Sequence, residues 1–220
     1  MSEAGGRVAV DVAVCTVHAG ALQVLLAETT GGPFAGSWAL PGGLVGDDES
    51  LDEAAARELS ARTGLTDVYL EQLYTFGSPK RDPGGRVVSV AYVALIPHVE
   101  RLADTGPGPK YRRVAWWPVR RLPPLAYDHG EVVRIAVTRL RAKLQYTNLV
   151  YTLLPPTFTL TELQAAYESI LGRRLDRRNF RKKILSTGLL APLGRLRRGP
   201  HRPAALYRFR RRRPMTVALL

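Results

Sequence analysis

Cysteine is almost absent from this 220-residue sequence, which contains Cys15 alone. One cysteine cannot form an internal disulfide, so the sequence is unlike disulfide-stabilised secreted domains, and we expect a reducing, cytoplasmic environment. Cys15 falls in a β-rich run, where a buried structural thiol is the usual role. Long apolar runs are missing too, since residues 87–97 reach only about half of a membrane span. The first six residues lack a positive region followed by an apolar one, so we expect no secretory signal.

Acidic residues are scarce in the last third of the chain. The sequence has 32 Lys and Arg against 19 Asp and Glu, a net charge of +13. Residues 155–220 hold 16 of those bases and three of the acids, whereas residues 1–154 are electrically balanced. An excess of positive charge is typical of proteins that bind nucleic acid. Its confinement to one segment predicts two modules with different functions.

Hydrophobic periodicity predicts alternating strands and helices in the first module. We predict strands at residues 8–17, 21–27, 68–76, 87–97 and 113–118. A capping box, Ser50-x-x-Glu53, begins a helix that runs to about Thr63, and Gly64 supplies its stop. A second long helix fits residues 130–144, with Asp128 as its N-cap. These elements predict an α/β fold with a mixed sheet.

Two adjacent prolines, Pro155 and Pro156, mark the boundary between the modules because they neither continue a helix nor pair in a central strand. We therefore predict domains at residues 1–150 and 151–220. The second begins with a capping box at Thr159-x-x-Glu162. Two helices follow, to about residue 171 and at 176–187, and then two short strands at 189–193 and 205–209 flank a basic loop. Helix, turn, helix, strand, loop, strand is the order of a winged helix-turn-helix.

Several catalytic signatures are missing from the sequence. It has no G-x4-G-K-[S/T] phosphate loop and no G-x-S-x-G nucleophile elbow. The four histidines show no metal-ligand spacing among themselves or with Cys15; they are His18, His98, His129 and His201. We expect neither a resident metal nor a cofactor.

The motif around the first predicted helix resembles that of the Nudix hydrolases, G-x5-E-x7-R-E-U-x-E-E-x-G-U, where U is bulky and apolar. The resemblance covers about residues 7–145 and implies an α/β/α sandwich with a nucleotide pocket. The matching residues, which follow Trp38-x-Leu40-Pro41-Gly42, are Gly43, Glu49, Arg57, Glu58, Leu59, Gly64 and Leu65.

The resemblance fails at the carboxylates that hold divalent cations in active Nudix enzymes. Ala61 and Arg62 stand where the motif has two adjacent glutamates, so Glu58 remains alone. Mg²⁺ prefers several hard oxygen ligands, and an arginine would repel it. We therefore predict that the pyrophosphatase activity is lost, while Glu49 and Arg57 brace the motif.

The remaining pocket is predicted to bind a nucleotide. Arg62 fits either a bidentate donor to phosphate or a solvated helix arginine. Phe34 and Trp38 flank a Gly- and Pro-rich loop and fit stacking on a base, although a scaffold role suits Trp38 as well. Arg81 fits a pocket element or a surface turn. The predicted effector-binding residues are Phe34, Trp38, Gly42, Gly43, Glu58, Arg62 and Arg81.

The second helix of the basic module has two distinct faces. Phe180, Ile184 and Thr187 fall on one side, which we assign to the core. Arg and Asn project from the other side, where Arg suits guanine and Asn suits adenine in the major groove. The loop between the last strands is the expected wing, and the basic run 210–213 fits a disordered tail or a further phosphate arm. The predicted DNA-binding residues are Arg177, Arg178, Asn179, Arg181, Lys182, Arg195, Arg197, Arg198 and Arg202.

A degenerate Nudix domain joined to such a module resembles the Nudix-related transcriptional regulators of the NrtR type. Residues 163–209, with Leu175 to Leu185 in particular, are similar to their C-terminal domain. The resemblance implies a homodimer that binds operators of NAD-metabolism genes and responds to ADP-ribose. Some members of the family govern sugar catabolism instead.

We therefore predict a ligand-responsive DNA-binding regulator, a repressor, with ADP-ribose or a related nucleotide as its effector. Two alternatives stay open at this point. The first is a residual pyrophosphatase that draws metal ligands from elsewhere and is tethered to nucleic acid. The second is a nonspecific nucleic-acid binder, whose affinity would fall steeply with salt and show no sequence preference.

Overall fold

A computed structural model describes residues 6–97, 110–198 and 203–217. The chain forms two compact units, one made of residues 1–16 with 23–137 and the other of residues 17–22 with 138–220. The boundary between residues 137 and 138 therefore falls inside the long helix at His129–Lys143. The described part of the chain has no helix that is long and apolar enough to cross a membrane.

A seven-stranded sheet forms the centre of the first unit. Its strands are β1 (Arg7–His18), β2 (Ala21–Thr29), β3 (Trp38–Ala39), β4 (Gly42–Leu44), β5 (Tyr69–Phe76), β6 (Val87–Leu95) and β7 (Tyr111–Pro118). The strand order is β3-β2-β1-β6-β5, with β4 paired to β1 and β7 paired to β2. β1 runs parallel to β6, whereas β4 is antiparallel to β1 and β5 is antiparallel to β6, which confirms a mixed sheet.

The two predicted helices of this region are confirmed. α1 spans Leu51–Thr63; the Ser50–Glu53 capping box is formed at its start, and Gly64 ends it at φ 70°. Its buried face carries Ala54, Ala55 and Leu59, which belong to the same core as the valines of β1. α2 spans His129–Lys143. Cys15 is fully buried on β1, as predicted, and burial raises the pKa of its thiol to about 12.

The second unit contains the predicted winged helix-turn-helix. α3 spans Leu160–Leu171 and α4 spans Arg177–Ser186. A three-stranded sheet has the order β8 (Phe158–Thr159), β10 (Ala204–Phe209) and β9 (Leu190–Arg197). The two-residue β8 was not predicted, because so short a strand has no measurable alternation. Its Phe158 packs on Phe209 at 4.9 Å between ring centroids, which helps to close the core.

Strand β9 is longer than the sequence pattern predicts. The expected end at residue 193 is wrong, because Leu196 and Arg197 still pair with Ala205 and Ala204 of β10. Backbone pairing of this kind does not require an apolar side chain, so the basic residues do not end the strand. Arg195 and Arg197 therefore lie on β9 and not in the wing loop.

The basic run at residues 210–213 is ordered, contrary to the predicted disordered tail. The Arg212 guanidinium donates to the carbonyls of Tyr151 and Leu154 at 2.7 and 2.8 Å. The Asn148 side chain donates to the Arg213 carbonyl and accepts from the Met215 backbone N–H. Arg212 thus satisfies the carbonyl of Tyr151, in a helical turn at 149–152, and that of Leu154 just after it, so it stabilises the domain and is not a free phosphate arm.

Candidate ligand cavity and DNA-binding surface

A cavity of about 460 Å³ opens in the first unit between strands β1 and β4, helix α1 and the loop that precedes β6. Four predicted effector residues line it: Gly42, Gly43, Glu58 and Arg81. Sequence reasoning missed other lining residues, among them Asp11, Lys110, Tyr111, Tyr127 and His129. Nothing in their spacing identifies them, because they come from separate elements that meet only in the fold.

Two glycines at the start of β4, Gly42 and Gly43, allow the backbone to pass close to Val10 of β1 and to Glu58 of α1. A Cβ at Gly42 would lie 2.5 Å from the Val10 carbonyl oxygen, which is backbone and cannot move aside. A Cβ at Gly43 would lie 2.3 Å from Glu58 Oε1. Gly42 therefore requires glycine for packing, whether or not a ligand contacts it, whereas a side chain at Gly43 would displace the Glu58 carboxylate.

Arg57 and two glutamates form the brace expected from the motif. The Arg57 guanidinium donates to both oxygens of Glu49, at 2.6 and 3.0 Å, and to Glu58 Oε1 at 2.6 Å. Hydrogen bonds from Arg57 and from the Gly46 backbone N–H lower the pKa of Glu49 to about 2. Arg57 also donates to the Leu44 carbonyl, so this group joins α1 to β4 and to the loop between them.

The side chains around Glu58 do not offer the oxygen ligands that a divalent cation needs. One oxygen of this carboxylate already accepts from Arg57, and the guanidinium of Arg62 lies 4.7 Å from the centre of the Tyr111 ring. Ala61 offers a methyl group. Within residues 6–97, 110–198 and 203–217, no group of three or more His, Cys, Asp or Glu could hold a metal ion. Arg62 lies beside the cavity but is not among the residues that line it.

The Arg81 side chain is buried in an ion-pair network, although its backbone N–H closes a turn by donating to the Ser78 carbonyl at 3.1 Å. Its side chain is 4% exposed, and it donates to Asp11 at 3.1 Å and to both oxygens of Asp128 at 2.8 and 3.0 Å. Asp11 also accepts from Ser89 at 2.5 Å and lies 3.3 Å from His129 Nε2. The Asp128 carboxylate, predicted as a helix cap, is thus engaged by Arg81 at the start of α2.

Burial alone would raise the pKa of Asp11, but its neighbours outweigh this effect. His129, Ser89 and Arg81 together hold the pKa of the Asp11 carboxyl well below its usual range. Asp11 is therefore ionised at neutral pH. The His129 ring accepts a hydrogen bond from the Leu40 backbone N–H at Nδ1, which leaves Nε2 as the donor to Asp11.

The two aromatic residues predicted to stack on a base lie in different places. Phe34 lines a smaller hollow together with Lys80, and its ring is 4.5 Å from that of Tyr127. Trp38 lies on β3, packs edge-on against Trp117 at 5.3 Å and is covered by the Arg113 guanidinium at 5.0 Å. Trp38 therefore packs within the fold, as a scaffold residue does, whereas Phe34 lines a hollow that a ligand could enter.

Helix α4 has the two faces that the sequence predicts. Phe180 and Ile184 are buried, and Phe180 packs against Tyr167 of α3 at 5.3 Å between ring centroids. The opposite face is basic and open to solvent. Four of its predicted DNA-binding residues are exposed and Arg181 is half-buried; the exposed ones are Arg177, Arg178, Asn179 and Lys182.

Asp176 caps this helix by accepting from the Asn179 backbone N–H at 2.7 Å. Because α4 has only ten residues and several like charges, we expect Asp176→Ala to lower the free energy of unfolding of the domain by about 1 kcal/mol. Chemical denaturation of the full chain measures this change. Asp47→Ala removes an exposed acid elsewhere and serves as the control; an equal loss in both variants would contradict the capping role.

The wing residues differ in their surroundings. Arg195 and Arg198 are exposed at the far end of β9, where they are open to a ligand. Arg197 forms an ion pair with Glu162 in the first turn of α3 and donates to the Thr157 carbonyl, so it also connects the wing to the domain. Arg202 lies outside the described residues. The DNA-binding and effector-binding assignments remain predictions.

Two family models match the chain. The NUDIX domain matches residues 7–135, and the NrtR DNA-binding winged helix domain matches residues 150–209. Among curated proteins, the chain is 39% identical over 202 residues to the ADPR responsive transcriptional repressor NtrR of Acinetobacter baylyi. That match covers 91% of this chain and 80% of the relative.

Solved structures are similar to this chain as well. Shewanella oneidensis NrtR complexed with a 27mer DNA matches with a TM-score of 0.81 and 35% identity, covering 92% of this chain and 93% of that one. The NUDIX domain of the same protein complexed with ADP ribose matches with a TM-score of 0.56 and 35% identity, over 62% of this chain and 89% of that one. The chain therefore belongs to the NrtR-type family of Nudix-related transcriptional regulators.

Proposed function

We propose that the chain is a transcriptional repressor whose second domain binds double-stranded operator DNA and is released when ADP-ribose, or a related nucleotide, occupies the first. The observation that carries this proposal is the solvent-exposed basic face of α4, opposite a buried face of Phe180 and Ile184. A recognition helix needs this combination of a face fixed in the core and a face able to reach base edges.

The cavity supports a sensing role for the Nudix domain. It retains the glycines, Glu58 and the Arg57 brace of the motif, while Ala61 and Arg62 replace two of its carboxylates. Its volume of about 460 Å³ falls in the range of small-molecule sites. The related repressor named as ADPR responsive and the related NUDIX domain bound to ADP ribose support this choice of ligand.

Release of DNA requires the ligand to bind more tightly to a DNA-incompetent state than to the DNA-bound state. We propose that the functional unit is a homodimer, because two copies of a winged helix would read two half-sites. ADP-ribose would then favour a dimer arrangement that mismatches the spacing of the operator.

Gel shifts with the DNA upstream of the encoding gene test this proposal. We expect a discrete complex that resists competitor DNA and is lost on titration with ADP-ribose, because ligand and DNA select different states. Adenosine, which lacks the diphosphate, is the matched control. Binding that remains unchanged at millimolar ADP-ribose would contradict the effector assignment, and binding without sequence preference would favour a nonspecific nucleic-acid binder.

We further propose that the cavity does not hydrolyse its ligand. A residual pyrophosphatase is the alternative, and the surviving Glu58 carboxylate in the cavity is the observation that favours it. Incubation with ADP-ribose and Mg²⁺ or Mn²⁺ separates the two. Turnover that is abolished in Glu58→Gln would establish the enzyme, whereas intact ADP-ribose after long incubation supports the sensor.

Target genes in NAD metabolism are proposed from the family resemblance, and the genes adjacent to the encoding gene would test this choice. A repressor acts in the compartment that holds the chromosome, so a cytoplasmic location is part of the same proposal.

A further inference from the structure

Two of the cations that line the cavity are already neutralised by acids. Arg81 pairs with Asp11 and Asp128, and Arg57 pairs with Glu49 and Glu58, at distances between 2.6 and 3.1 Å. Breaking these pairs to bind a ligand would leave partly or fully buried carboxylates without a partner, which is unfavourable. Neither guanidinium is therefore well placed to hold a new anion.

Lys110 differs from these arginines in its partners. The residue is exposed as a whole, but its ammonium reaches the cavity, where it donates to the Gly42 carbonyl and lies 5.2 Å from the centre of the Tyr111 ring. Both of these contacts are with neutral groups. Loss of water around the ammonium lowers the pKa of Lys110, and Glu58 and Asp11 offset this only in part. A phosphate oxygen would give the ammonium an anionic hydrogen-bond acceptor in place of the neutral Gly42 carbonyl.

The Gly42 carbonyl holds this ammonium beside the Nudix motif. The same oxygen accepts from the Tyr111 hydroxyl at 3.1 Å, and a Cβ at the neighbouring Gly43 would lie 3.7 Å from Lys110 Nζ and 2.3 Å from Glu58 Oε1. Lys110 therefore lies beside the surviving carboxylate of the Nudix motif. Arg62, the residue that the sequence suggested for this task, instead has its guanidinium over the Tyr111 ring.

We propose that the cavity binds the diphosphate of its nucleotide ligand directly through the Lys110 ammonium, without a divalent cation. The inference rests on the proposed function, in which the ligand is a nucleoside diphosphate such as ADP-ribose. Positive charge from the chain itself then takes the position that the missing carboxylates would have given to a metal. The Arg57–Glu58 pair keeps the remaining carboxylate from repelling the phosphates.

Calorimetric titration of the full chain with ADP-ribose, in EDTA and in excess Mg²⁺, tests this proposal. We expect the same affinity in both buffers, and about a tenfold loss in Lys110→Gln. Lys110→Arg should keep most of the affinity, because it keeps the charge. Lys143→Gln on α2 removes a lysine that is not among the cavity-lining residues and should bind as the unmodified chain does. Thermal unfolding of each variant confirms that it is folded.

The outcomes distinguish this inference from the proposed function. Binding that needs Mg²⁺ overturns metal-free recognition and leaves ADP-ribose as the effector. Metal-independent binding that Lys110→Gln leaves intact overturns the role of Lys110. Absence of binding in either buffer overturns the choice of ADP-ribose itself, and the inference with it.

Discussion

Arg81→Met is expected to lower the free energy of unfolding of the Nudix domain by about 3–5 kcal/mol, the range found when one partner of a buried ion pair is removed. Arg81 is 4% exposed and holds Asp11 and Asp128 together. Methionine fills similar space without the charge, so the loss reports on the uncompensated carboxylates and not on a cavity. Denaturant unfolding of the full chain at neutral pH measures it.

The effect of Arg81→Met should shrink as the pH falls. In the unmodified chain the pKa of Asp11 is below its ordinary value, so Asp11 contributes stability above about pH 4 that is lost on further acidification. Removing Arg81 takes away one of the interactions that lower this pKa, while burial continues to raise it. Acidification therefore destabilises the variant less than it destabilises the unmodified chain. The difference in free energy of unfolding between the two proteins becomes smaller as the pH falls.

Arg134→Met is the matched control for this prediction. Arg134 is 65% exposed and pairs with Glu131 one turn away on α2, a surface pair that contributes at most about 1 kcal/mol. A buried network and a surface pair are thus compared with the same substitution. Equal stability of Arg81→Met and the unmodified chain would contradict the structural role of the network.

Arg178→Ala is expected to weaken specific DNA binding by about 1–3 kcal/mol, roughly a 5- to 150-fold rise in Kd. Arg178 is exposed on α4, on the side opposite to the buried Phe180 and Ile184, so the substitution leaves the core unchanged. An arginine that donates to a guanine edge contributes this much discrimination. Fluorescence anisotropy with the upstream DNA, at one fixed salt concentration, measures the change.

Two comparisons separate base reading from simple loss of charge. Arg121→Ala removes an exposed arginine from the Nudix domain and should leave the affinity nearly unchanged. Random-sequence DNA should lose much less affinity for Arg178→Ala than the upstream DNA does, because phosphate contacts do not depend on sequence. An equal loss on both DNAs would show that Arg178 contacts phosphate.

Sequence alone predicts most elements of this fold because their signals are local. The Ser50–Glu53 and Thr159–Glu162 capping boxes are formed at the first residues of α1 and α3, since side-chain-to-backbone capping acts within four residues. The end of β9 and the ordered run at 210–213 were mispredicted. In both cases distant backbone partners decided the outcome: β10 for the strand and the turn at 149–152 for Arg212.

The features of the candidate site were likewise predictable from the sequence only where the signal is local. The absence of carboxylates at Ala61 and Arg62 is visible in the motif, because these positions lie three and four residues after Glu58 and so share its helix face. The partners of Arg81, which are Asp11 and Asp128, lie 70 and 47 residues away in sequence, so no spacing rule reveals that Arg81 is buried.

The sequence by itself therefore determined two features of this protein: a Nudix motif that keeps Glu58 but lacks the carboxylates at positions 61 and 62, and a basic module that carries the whole net charge. The tertiary structure alone decided which charges remain available. It paired Arg57 and Arg81 with acids, placed the Arg62 guanidinium over Tyr111, and left the Lys110 ammonium in the cavity with a backbone carbonyl as its hydrogen-bond acceptor. Composition counts charges, but the ability of a charge to bind a ligand depends on which groups the fold brings within hydrogen-bonding distance of it.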